Sequence, residues 1–370
     1  MSKQTTFRGW CSRAELSAAG IDARTARGLL LSSPVADVVA PLTPEDLDKA
    51  VEISGRTLAA AGLLAGDRVV VALNSDGELT ASLYAQAASK TVEAVVSTGP
   101  RGRMRLLKVI EGLRANVLVT TPSGAMDFLA RMHMEFLADP LDLELRLIVL
   151  VGEIADDRKH RHLAREFGAE VVELFADPLL GIPLAHRRPR GSESSWQDTD
   201  GSLLLARLDA DTELEPPYAD GLAEFVVTHP WHSTLAGLAL RTGYVARLDG
   251  QAKLLPAAAH TVGDHVLVRG RWLSVPHLVG ALRAIDGITR LRLEINRKGT
   301  LDAAALHVTF GRATLTGNPM WKARIEQVLT AVTPVHIDVV VAEQVEEAHL
   351  PIEVVDQRGQ HLGQDRASIA

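Results

Sequence analysis

From residue 43 onward, apolar positions alternate between two spacings. Thr43-Pro44-Glu45-Asp46 reads as a helix start, with a capping threonine, a proline suited to the first turn, and acids that complement the helix dipole. Leu47, Ala50, Val51, Leu58 and Ala61 then lie broadly on one helical face, and Gly62 ends the run. Continuous apolar stretches predict strands at Arg68–Leu73, Val92–Ser97, Val117–Thr120, Leu145–Val151 and Glu170–Phe175. Between them, amphipathic spacing predicts helices at Glu78–Ala88, around Leu106, Leu107, Ile110 and Leu113, at Gly124–Ala138 and at Asp156–Phe167. Short apolar strands separated by amphipathic helices imply a parallel sheet covered on both faces.

Elsewhere the pattern changes. Residues 1–42 read as an irregular lead-in with one short helix, Arg24–Leu31. Residues 177–201 are rich in Pro, Gly, Arg and Ser and read as a long loop. Ser202–Asp209, Leu222–His229 and Tyr244–Leu248 are expected strands of a β-rich subdomain spanning 202–262. After it come helix Pro276–Ile285, strand Thr289–Ile295, strand Ala304–Phe310, helix Pro319–Val332 and strand Val335–Val341. An α-β-β-α-β run of this size is a compact two-layer domain. The expected organisation is a large region over 1–262, with its α/β part at 43–176, a small α+β domain over 263–345, and a loose tail over 346–370.

At 370 residues the chain can bury two or three cores, and 46% apolar with 23% charged residues is ordinary for a globular protein. No apolar stretch approaches the roughly 20 residues of a bilayer crossing, and MSKQTTFRGWCSRAEL has no secretory hydrophobic region. A lone cysteine, Cys11, excludes an internal disulfide framework and fits a reducing compartment, so cytoplasm is the expected location and no membrane partner is expected. A net charge of −7 argues against nucleic acid as a partner. The basic runs Arg158–His162 and His186–Arg190 read as solvated surface.

Several segments carry a resemblance. LTPEDLDKA (42–50), AAAGLLAGDRVVVAL (59–73), VLVTTPSGAMDFLA (117–130), LIVLVGE (147–153), FVVTHP…LALRTGYVARL (225–248) and GDHVLVRG…VP (263–276) together resemble a phenylacetate–coenzyme A ligase, a branch of the AMP-forming adenylating enzymes. The resemblance implies an α/β adenylating-enzyme fold, a β-rich subdomain and a small, hinged α+β C-terminal domain. It implies ATP, Mg²⁺ and CoA as co-substrates, and a homodimer.

The chemistry implied by the resemblance meets substitutions here. A Gly- and Lys-bearing phosphate loop corresponds to Ser32-Ser33-Pro34-Val35-Ala36-Asp37-Val38-Val39, which has neither residue. The aromatic motif that stacks adenine and binds Mg²⁺ corresponds to Phe175-Ala176-Asp177-Pro178-Leu179, with Leu179 where the metal-binding Glu belongs. The ribose-clamping Thr-Gly-Asp reads Thr242-Gly243-Tyr244, and a phenol cannot accept two hydrogen bonds as an anion. The hinge offers Asp264, with Arg269-Gly270 opening the last domain, but lacks the ribose-facing Arg. No lysine follows Lys322, so the cation that stabilises the adenylation transition state, typically worth about 3–4 kcal/mol, is absent.

The expected protein is therefore a non-adenylating homologue with no catalytic residue, no metal and no cofactor. It would bind an acyl, aromatic or CoA-like molecule, or serve as partner subunit to an active paralogue. Candidate ligand-binding residues are Ser123, Gly152, Glu153, Phe175, Arg241 and Tyr244, with Asp264 and Arg269 at the hinge. The alternatives are an active ligase using Arg358 or Lys322, with ATP, Mg²⁺ and CoA, and different chemistry on Tyr244, Arg241 and Glu153. His229-Pro230-Trp231-His232 has two histidines but no third ligand nearby, and Gly99-Pro100-Arg101-Gly102 reads as a turn.

Overall fold

The computed structural model describes residues 9–19, 28–32, 39–74, 80–99, 102–189, 194–250, 252–316, 318–346 and 348–369. They form two compact units, Met1–Ala259 and His260–Ile369. No described helix is long and apolar enough to cross a membrane.

The first unit is built on a seven-stranded sheet. Across it the strands run Gln197–Asp198, Pro183–Arg187, Glu170–Ala176, Leu147–Val151, Val117–Thr120, Arg68–Ala72 and Ala94–Ser97. The last five are parallel, and the first two continue the sheet antiparallel. Helices on both faces explain the unbroken apolar runs, since Val69–Ala72 and Leu147–Leu150 are all fully buried. Helix Pro44–Ala60 starts as expected: Thr43 and Asp46 close a reciprocal capping box and Pro44 sits in the first turn. Helix Asp157–Phe167 is capped by Asp156 and stopped by left-handed Gly168.

Three local expectations are corrected. Leu29–Ser32 is a strand paired with Val39–Leu42, not the end of a helix; residues 20–27, the start of that expected helix, lie outside the described residues. The helix expected over Gly124–Ala138 is α-helical only for Pro122–Arg131, and Met132–Phe136 widen into a π-turn closed by left-handed Leu137. The expected loop 177–201 contains the buried strand Pro183–Arg187. Its charge is neutralised internally: Arg187 pairs with Glu173 and lies 5.3 Å from the centre of the Trp196 ring, so a basic sequence supports a core strand.

A second sheet holds Leu203–Arg207, Gly221–Thr228 and Leu238–Leu248 in antiparallel order, with Gly9–Ser12 parallel at the far edge of Leu238–Leu248.

In the second unit, His265–Val268 and Arg271–Ser274 form a hairpin whose tip residues, Arg269 and Gly270, both have positive φ, as a tight primed turn requires. Ser274 caps helix Val275–Leu282. A four-stranded sheet runs Ile337–Val345, Leu301–Phe310, Ile288–Lys298 and Glu353–Asp356, backed by helix Pro319–Val332. Leu293, Ile295, Leu306, Val308, Phe310 and Ile325 form its fully buried core. The stretch expected to be a loose tail thus supplies an edge strand, Glu353–Asp356, parallel to Ile288–Lys298. Alternation there is weak because the strand is only four residues long, with Glu353 exposed and the other three half-buried. Backbone pairing and the Asp356–Arg358 ion pair hold it instead.

Candidate functional site

Ligands of open α/β sheets bind beyond the carboxyl ends of the parallel strands. Two such ends meet in the first unit. Strand Val117–Thr120 runs into helix Pro122–Arg131, whose cap Thr121 accepts from the Gly124 N–H. Strand Leu147–Val151 ends at Gly152, whose φ of 86° favours glycine and turns the chain to present Glu153. The Glu153 carboxylate accepts from the Ser123 backbone N–H at 2.8 Å and from Ser123 Oγ at 2.5 Å. Ser123, Gly152 and Glu153 are therefore brought together, with a fixed anion at a helix N-terminus, where the dipole favours it. Replacing Glu153 by alanine is expected to cost about 1–2 kcal/mol, because a first-turn N–H loses its acceptor. In a double-mutant cycle by urea unfolding, Ser123→Ala should couple to it; additive losses would show that the pair contributes nothing jointly.

Phe175 and Tyr244 also meet, but inside the core. Phe175 is 4% exposed and Tyr244 8%. Their ring centroids are 5.4 Å apart, edge to face, and Phe175 further packs on Phe225 at 5.2 Å and Trp196 at 5.6 Å. Such contacts satisfy the faces of an aromatic ring. Burial, with Tyr244 nearby, pushes the fully buried Tyr84 phenol far above its usual range.

Arg241 is fastened by residues of its own sheet and of the bend that follows strand Leu203–Arg207. Its guanidinium donates to Glu224 Oε2 at 2.9 Å, to Asp211 at 3.0 and 3.2 Å, and to the carbonyls of Arg207 and Ala210. It also lies 5.5 Å from the centre of the Trp10 ring. The N–H groups of Arg241, a candidate ligand-binding residue, are engaged by protein oxygens. Glu224 takes the Gly243 N–H as well, which pins the irregularity at Thr242-Gly243-Tyr244 inside strand Leu238–Leu248.

Sequence reasoning missed a buried pair. His229 Nε2 lies 2.8 Å from Asp177 Oδ2, both side chains essentially inaccessible. Asp177 also accepts from the Leu179 and Leu180 N–H groups, so it closes its own turn. Fifty-two residues separate the two partners, and the only signal was the His229–His232 motif. His232 Nδ1 accepts from the Thr234 and Leu235 N–H groups. Burial, reinforced by His229 and opposed by Asp46 and Asp177, drives its pKa down to about 4. Among the described residues no group of three His, Cys, Asp or Glu side chains could hold a metal. In the expected phosphate-loop position, Ser32 pairs with Val39, and 33–38 lie outside the described residues.

In the second unit, the Asp264 carbonyl accepts from the Val275 N–H, and Arg269 Nε, at the hairpin tip, donates to the Asp302 carbonyl on strand Leu301–Phe310. Arg358 is clasped by Asp356 and Asp302 and by the Leu267 carbonyl. Lys322 is exposed, 3.9 Å from Glu326.

No protein-family model matches the chain, and no curated protein matches it by sequence. Solved structures do. A 2-hydroxyisobutyryl-CoA ligase in complex with 2-HIB-AMP and CoA aligns with TM-score 0.73 at 15% identity, over 88% of this chain and 71% of that one. o-Succinylbenzoate CoA synthetase from Bacillus subtilis aligns with TM-score 0.64 at 13% identity, over 88% and 68%. A malonyl-CoA ligase in a ternary product complex aligns with TM-score 0.59 at 14% identity, over 83% and 68%. The chain has the adenylating-enzyme fold of AMP-forming CoA ligases.

Proposed function

We propose that this chain is a phenylacetate–CoA ligase-like protein that does not adenylate, acting in the cytoplasm as a binder of an acyl, aromatic or CoA-like molecule or as partner subunit of an active paralogue, itself dimeric. One observation carries the reading. The two positions that the resemblance assigns to adenine stacking and ribose clamping, Phe175 and Tyr244, pack edge to face inside an aromatic cluster with Trp196 and Phe225. Opening a nucleotide site there would mean breaking that packing. Two further observations support it: Arg241 and Arg358 both have protein carboxylates as partners. The ligase fold would then serve for recognition, with Ser123 and Glu153 at the position the resemblance gives to the acyl pocket.

Titration of the full chain with ATP·Mg²⁺ is expected to give no binding heat and no thermal shift, and ATP–pyrophosphate exchange with aryl carboxylates should stay at background. Saturable exchange with any of these acids would overturn the reading in favour of an active ligase.

A further inference from the structure

The unit His260–Ile369 neutralises most of its cations internally. Arg290 pairs with Glu353, Arg297 with Asp302, Arg358 with Asp302 and Asp356, and Lys298 with Asp338. Arg324 lies over Trp321. Two arginines stand apart. Among the described residues, Arg283 and Arg312 have no side-chain hydrogen bond, ion pair or ring contact, and both line one cavity of about 430 Å³. His349 lines it too. The cavity's single acid, Asp286, forms no ion pair with any of them.

The cavity lies where helix Val275–Leu282 ends, strand Ile288–Lys298 begins and strand Leu301–Phe310 finishes. Gly287, at φ 85°, and Gly311 form its wall, joined by a Gly311 N–H to Gly287 carbonyl bond of 2.9 Å. A side chain at Gly287 would collide with Leu315. Half-buried Ile288 gives the cavity its accessible apolar side, while Leu282 and Ile285, which also line it, are buried in the core. Solvated surface arginines are common, and a cation after a helix C-terminus is favoured by the dipole alone. Neither reason places a second arginine and a histidine on the same concave surface, with a single unpaired acid and an apolar side. Guanidinium groups recognise carboxylate and phosphate oxygens in two-pronged fashion.

We propose that this cavity binds a small amphipathic anion, its oxyanion headgroup held by Arg283 and Arg312 and its apolar body against Ile288. The site is independent of the proposed function, since it uses none of the residues on which that reading rests.

Phenyl phosphate, inorganic phosphate and phenol are the probes, titrated calorimetrically into the full chain. Phenyl phosphate is expected to bind with a Kd of about 1 mM or tighter. Inorganic phosphate should bind more weakly, for want of apolar contact, and phenol not at all. Arg283→Gln/Arg312→Gln should weaken phenyl phosphate by about tenfold or more with an unchanged unfolding midpoint, since both side chains are exposed. Asp286→Asn should tighten it about twofold by removing a like charge. Absence of phenyl phosphate binding, inorganic phosphate or phenol binding as tightly, or unchanged affinity in the folded double variant would each overturn the proposal.

Discussion

Arg241→Ala is expected to remove about 3–5 kcal/mol from the stability of the first unit, the largest single-residue loss anticipated here. The figure follows from what the substitution leaves behind rather than from the worth of the pair. Glu224 is fully buried, and its Oε2 would lose its guanidinium partner while Oε1 kept the Gly243 N–H. The carbonyls of Arg207 and Ala210 would lose donors too, whereas Asp211, with a side chain 60% exposed, would simply be hydrated. Urea unfolding followed by far-UV circular dichroism measures the loss without depending on Trp10, whose fluorescence the substitution would change directly. If burial of an uncompensated charge is the cause, Arg241→Met combined with Glu224→Gln should recover most of it, because the amide oxygen still serves Gly243. A loss under about 1 kcal/mol for the single variant, or no recovery in the double, would show that the cluster is not the fastening described.

The same cluster shows where sequence reading stops. Arg241 was legible as part of an Arg-Thr-Gly motif, and that motif suggested a ligand. Its real partners lie 17 and 30 residues upstream, and its aromatic neighbour, Trp10, arrives on a strand from the other end of the unit. No local period encodes such meetings. Helices and parallel strands could be read because burial on one face or on both leaves a period in the residues themselves, as in Leu147–Val151. Strand Pro183–Arg187 could not, because the Arg187 charge is cancelled by Glu173 on the neighbouring strand and packs on the Trp196 ring, both remote in sequence. Ser123 and Glu153, 30 residues apart, were both legible as motif ends, since a βα turn places functional groups at the same sheet edge. The Asp177–His229 pair needed two sheets to be packed before it existed.

Acidification from pH 7.5 to 4.5 should cost the first unit up to about 3 kcal/mol through His232 alone. The ring is buried, and its Nδ1 lone pair already accepts two backbone N–H groups, so protonating that nitrogen would sacrifice both bonds. Its pKa is about 4 in the folded protein, against 6.5 ordinarily. Below 6.5 the unfolded chain takes up a proton that the folded one refuses, so this contribution is complete above pH 6.5 and is lost as pH falls towards 4. Asp46 is distinguishable by its window. Burial raises its pKa, but hydrogen bonds from Ser233 and the Thr43 N–H outweigh that, and the net shift is downward from 3.8. Its contribution therefore persists until pH drops below the ordinary carboxylate range. His361 in the second unit, lowered to about 4 chiefly by burial, titrates in the same direction as His232, so the measurement must be a difference. Urea midpoints of the native chain and of His232→Asn, whose side-chain oxygen can take over the Nδ1 acceptor role, should converge as pH falls. The native protein loses stability across the window, while the variant stays nearly level except for what His361 contributes. Parallel pH profiles for the two proteins would mean that His232 is protonated in the fold as readily as in the open chain, and the neutral, doubly accepting ring would have to be abandoned.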